Sequence, residues 1–99
     1  MISSLAAVTP ASLVMPRVLS AVLRQAPLSP EKVAFAWRMA VGPAVDKATE
    51  IELRQDVLHV RAKDAAWQRE IERSAALIRS RLTEWLGEDV VRYIDVKRR

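Results

Sequence analysis

Between Thr49 and Lys63 the chain alternates apolar and polar residues through two short runs, with only Gln55-Asp56 between them. Thr49, Ile51 and Leu53 alternate with Glu50, Glu52 and Arg54, and Leu58, Val60 and Ala62 alternate with Val57, His59, Arg61 and Lys63. Period-two alternation puts each set on its own face of a strand. So short a connection makes the two strands an antiparallel hairpin, here turning without the glycine such turns prefer. One face of that hairpin is apolar and must be covered, and the flanking segments supply the cover.

Trp37 and Trp67 bracket the hairpin, each within a helical pattern. Upstream, Ser29-Pro30-Glu31 combines an N-cap, a proline at the first helical position and an acid in the first turn. Val33, Trp37, Ala40 and Val41 form the apolar stripe of that helix, and Gly42-Pro43 ends it. Before it, Pro16 opens a helix whose face is Val18, Leu19, Val22 and Leu23, running to about Gln25. Downstream, Asp64 caps the longest helix, in which Trp67, Ile71, Ala75, Ile78, Leu82 and Trp85 recur at helical spacing as far as Leu86, where Gly87 stops it. Val90 to Lys97 reads as a third strand. Residues 1–15 are expected to be a loose leader, with Met15 an alternative start to Met1, and residues 16–99 a single domain.

The element order is thus α-α-β-β-α-β. A long helix between strands two and three can carry the chain back across one face of the sheet. The expected fold class is α+β: a two-layer sandwich, its three-stranded sheet covered on one face by helices and open on the other.

With 99 residues the chain makes one small domain. It has no cysteine and a single histidine, His59. Disulfides, thiolate metal sites and cysteine nucleophiles are therefore excluded, and neither a metal site nor a Ser-His-acid triad is supported. No apolar run reaches the roughly 18–20 residues of a membrane span. The first positive charge is Arg17, so the basic start of a secretory signal is missing and a cytoplasmic location is expected. A net charge of +4 favours an anionic partner modestly.

The spacing of Trp37, Val41-Gly42, Val57-Leu58-His59-Val60, Ala66-Trp67, Glu70 and Leu86-Gly87 resembles the DciA family of bacterial proteins, over roughly Leu19 to Val96. The resemblance implies a KH-like fold, DNA binding, and action with the replicative DNA helicase as its loader or recruiter, in the cytoplasm at the nucleoid. Members often have a glycine in the hairpin turn where this chain has Gln55-Asp56, and many continue into a long basic C-terminal tail. A GXXG clamp of the kind nucleic-acid-binding KH domains use is impossible here, because Gly42 and Gly87 are the only glycines.

Candidate phosphate contacts are Arg54, Arg61 and Lys63 on the polar face of the hairpin, expected near one another, with Lys97, Arg98 and Arg99 beside them. Glu50, Glu52 and Asp95 share those faces and are able to neutralise the cations. A second candidate is Arg69, Arg73 and Arg81 on the long helix, interleaved with Glu70, Glu72 and Glu84. Trp37, Trp67 and Trp85 read as core aromatics, Tyr93 as the residue best placed to stack on a base. No P-loop is present and no catalytic set converges, so the expectation is a non-enzymatic replication accessory protein without cofactor, metal or small-molecule substrate. A KH-like RNA-binding module and a pure protein-interaction adaptor are the alternatives.

Overall fold

The computed structural model describes residues 21, 22 and 24–99. The expected leader, the alternative start at Met15 and most of the expected first helix lie outside the described residues. The end of that helix is described: residues 21, 22, 24 and 25 are helical.

Helix α1 (Pro30–Val41) begins as the sequence dictates, with Ser29 Oγ accepting from the Lys32 amide at 3.1 Å and Pro30 at the first position. It ends at Gly42, whose φ of 86° is a conformation that suits glycine. Pro43 does not simply terminate the helix, as expected, but opens a second short one, α2 (Pro43–Lys47). The fixed φ of proline is as well suited to a first helical position as to a stop.

Strands β1 (Thr49–Arg54) and β2 (Val57–Ala62) form the expected hairpin, antiparallel with Arg54 opposite Val57 and Thr49 opposite Ala62. Gln55 makes the turn with φ of 55°, the left-handed region that costs a residue with a side chain about 1 kcal/mol. Asp64 then caps α3 (Ala65–Arg73), its Oδ1 accepting from the Trp67 amide at 3.0 Å.

The long helix expected to run unbroken to Leu86 is two helices. Ser74, at φ −99° and ψ 6°, separates α3 from α4 (Ala75–Leu86). Helix α3 lies on β2 and β3, whereas α4 lies mainly along α1. One straight rod cannot serve both surfaces, and the break lets the chain change partners while the apolar stripe continues. Strand β3 (Tyr93–Arg98) starts three residues later than expected, after a bend stabilised by bonds from the Arg92 and Tyr93 amides to the Asp56 carbonyl. It pairs parallel with β2, giving the strand order β1-β2-β3.

The fold is α+β, a three-stranded sheet under a helical layer. Leu58, Val60 and Ala62 of β2 are almost completely buried beneath the helices, with Val96 of β3 beside them. Above them lie Trp37, Ile71, Leu82 and Trp85. Trp37 is fixed by more than packing, because its Nε1–H donates to Thr49 Oγ1 at 3.0 Å. Trp85 is buried and meets the Phe35 ring edge to face, with centroids 5.6 Å apart. Trp67, expected in the core, is half-buried and packs against its margin.

Candidate nucleic-acid interface

Register decides what the open face of the sheet carries. Glu50 pairs with Arg61 and Arg61 with Lys97; Glu52 pairs with His59 and His59 with Asp95; Arg54 pairs with Val57 and Val57 with Tyr93. The three strands therefore lay three transverse rows on the solvent side.

The rows differ in charge. The row nearest the hairpin turn has Arg54, Val57 and exposed Tyr93, and Arg92 beside it is engaged with Asp56 and Asp89 at 3.6 and 3.7 Å. The middle row is acidic apart from His59, whose Nδ1 lies 3.3 Å from Asp95 Oδ2. The far row holds Glu50, Arg61 and Lys97, and the ladder continues past it through a bond from the Arg99 amide to the Ala62 carbonyl at 2.9 Å. Lys63, just beyond β2, donates its amide to the Ala48 carbonyl at 2.8 Å, which brings Lys47 to the same end. Six cations, Lys47, Arg61, Lys63, Lys97, Arg98 and Arg99, thus gather where β1 starts and β2 and β3 finish. Asp46, Glu50 and Asp64 are the acids among them.

This separates residues that the sequence reading grouped. Arg54 does not lie with Arg61 and Lys63: four residues of strand, about 13 Å at about 3.3 Å per residue, stand between its row and that of Arg61. Its guanidinium faces Glu52, 3.7 Å away. Lys97, Arg98 and Arg99 do join Arg61 and Lys63, although Arg98 is in register with buried Ala62 and so leaves the sheet on the helical side. Tyr93 is on the open face as expected, but at the end opposite the basic cluster.

Arg69 and Arg73 belong to the helical layer, where Arg73 pairs with Glu70 at 3.4 Å in the next turn. Arg81 donates to the Ala40 carbonyl at 3.1 Å and serves the end of α1. These three do not extend the basic cluster. Lys47 was missed, yet its signal was present: a two-residue turn at Gln55-Asp56 fixes the hairpin register, and extending it beyond Thr49 places Ala48 opposite Lys63.

A shallow concavity of about 530 Å³ lies in the basic cluster, lined by Glu50, Arg61, Lys97, Arg98 and Arg99. Exposed guanidinium and ammonium groups around an open depression suit the oxygens of a phosphate backbone, which need positive charge but little fixed geometry. Among the described residues no cluster of His, Asp or Glu is placed to hold a metal ion, and no helix is long and apolar enough to cross a membrane.

A family model described as Dna[CI] antecedent, DciA, matches residues 10–96. The chain belongs to the DciA family. That match spans α1 to α4 and the first four residues of β3, so the hairpin with Lys47, Arg61 and Lys63 lies within it, whereas Lys97, Arg98 and Arg99 follow its last residue. The DciA family is associated with DNA replication and helicase loading, which implies interaction with the replicative helicase in general terms. No curated protein matches the chain.

Proposed function

We propose that this protein is a non-enzymatic accessory of bacterial DNA replication that binds the replicative helicase and holds DNA through the basic end of its sheet, in the cytoplasm at the nucleoid. The observation that supports it best is the gathering of Arg61, Lys63, Lys97 and Arg99 at one end of a sheet whose hairpin lies within the DciA match. DNA contact there is by phosphate, because the groups are exposed, flexible and set around a shallow, open concavity. The acidic middle row keeps a backbone from crossing the centre of the sheet and confines the footprint to a few phosphates. Such a contact is weak and independent of sequence.

Weak DNA binding suits an adaptor. A protein docked on the helicase that also holds a strand raises the local concentration of DNA beside the ring, and two modest affinities combine into a stronger joint one. The decisive test is a titration of the purified protein against the replicative helicase of the same bacterium, without and then with single-stranded DNA. Saturable binding, tighter when DNA is present, is the expected outcome. A folded protein that ignores the helicase and prefers RNA to DNA of the same length overturns this reading in favour of an RNA-binding module.

A further inference from the structure

We propose that Glu50 is a built-in competitor for the phosphate site, holding the Arg99 guanidinium until a phosphodiester replaces its carboxylate; this rests on the DNA-holding role of the basic row. Glu50 is the one acid in that row, opposite Arg61 in the β1-β2 ladder and one strand further from Lys97. Its Oε2 lies 3.2 Å from Arg99 Nη2. Arg99 is not a loose end at this point, since its amide is bonded to the Ala62 carbonyl. The pairing thus joins the first strand of the sheet to the end of the third.

Carboxylate and phosphodiester present the same feature to a guanidinium, two oxygens matching its N–H fork. Glu50 Oε2 stands at Arg99 Nη2, so a phosphate oxygen that takes this nitrogen displaces the carboxylate. The side chains of both partners are well exposed, at 45% for Arg99 and 65% for Glu50, so water and salt screen their attraction and displacement is easy. The other acids of the open face are placed differently. Glu52 serves Arg54 near the turn, and Asp95 faces His59 at 3.3 Å with Lys97 4.0 Å away. Among the described residues Glu50 alone is an acid that contacts a cation of the concavity while itself lining it.

This arrangement lowers affinity by design of charge alone. In the free protein Arg99 is already neutralised, so a strand must displace a carboxylate before it gains that contact, and the displaced charge remains beside it. An adaptor must also release DNA, and the returning carboxylate favours release.

The test compares wild type, Glu50→Gln and Glu84→Gln for binding to a fluorescently labelled 20-nucleotide oligo-dT by anisotropy over a salt series. Glu84 is an exposed residue of α4 in the helical layer, so its change alters net charge equally but far from the row. Glu50→Gln is expected to tighten binding about 3- to 10-fold at low salt and to steepen the log–log salt dependence by about 0.7, one further phosphate contact on a single strand. Glu84→Gln is expected to stay within about twofold of wild type. Equal affinity of wild type and Glu50→Gln, or an equal gain in Glu84→Gln, overturns the role of Glu50 while leaving DNA holding intact. Absence of binding in all three at low salt, with unchanged circular dichroism, overturns the DNA-holding role and the competitor together.

Discussion

The indole Nε1–H of Trp37 donates to the hydroxyl of Thr49, 3.0 Å away in the buried layer, and Thr49 Oγ1 in turn lies 2.8 Å from the Val45 carbonyl. One hydroxyl therefore ties α1, α2 and the first residue of β1 together. Thr49→Val keeps the shape and removes the acceptor, leaving a buried indole N–H without a partner. The expected loss is about 1–3 kcal/mol, read from the urea midpoint with an unchanged m-value.

Trp37 and Trp67 bracket the hairpin in sequence but not equally in burial. Trp37 is 1% exposed at the centre of the core, whereas Trp67 is half-buried at its margin. Trp37→Ala is expected to cost about 3–5 kcal/mol. Trp67→Ala should cost about half as much, since only part of its ring leaves water on folding. Equal losses from the two substitutions, in parallel denaturant titrations, would contradict this packing.

Lys32 is a cation inside the fold, 7% exposed. Its Nζ donates to the Ala26 carbonyl at 2.6 Å and lies 3.4 Å from that of Arg24, so it completes the end of the preceding helical segment. Lys32→Met preserves the apolar stem and deletes the donor. Trypsin should then cut after Arg24 several-fold faster, while global stability changes by about 1–3 kcal/mol. Unchanged cleavage kinetics would show that the lysine does not hold this segment.

Arg61 and Lys97 stand side by side in the far row, and Arg54 is at the other end of β1. The double reversal Arg61→Glu, Lys97→Glu is expected to weaken binding to single-stranded DNA at least about tenfold at low salt, whereas Arg54→Glu changes it by about threefold or less. With Arg61, Lys63 and Lys97 as contacts and Arg99 held by Glu50, the wild-type log–log salt slope should be near about −2, at about 0.7 per phosphate. Anisotropy titrations between low and physiological salt measure all three.

The hairpin was legible in the sequence because its determinants are local: alternation, a two-residue turn and the register these impose. The same register contained the position of Lys47 and the separation of Arg54 from Arg61, but grouping cations by residue type and face overlooked distance along the strand. The break at Ser74 was hidden for a different reason. Trp67, Ile71, Ile78, Leu82 and Trp85 keep helical spacing through it, and only the different partners of α3 and α4 demand a change of direction. Trp67 was read as core for the same cause, since a stripe identifies the inward side of a helix without telling how deep each member sits. Pro43 was ambiguous locally, since proline both follows helix ends and starts helices.

The parallel pairing of β2 with β3 has a kinetic meaning. The hairpin can close by itself, but β3 reaches its place only after the whole α3-α4 crossover has folded over the sheet, so three of the basic residues, Lys97, Arg98 and Arg99, join Arg61 late. The basic row is then a property of the docked strand, and whenever β3 lifts away the row is divided. On the proposed DNA-holding role, a strand bound there would select the closed arrangement and link occupancy to the docking of β3 by mass action. Amide protons along β3 should then exchange more slowly in the DNA complex, a coupling that would make the domain a sensor of the strand it holds.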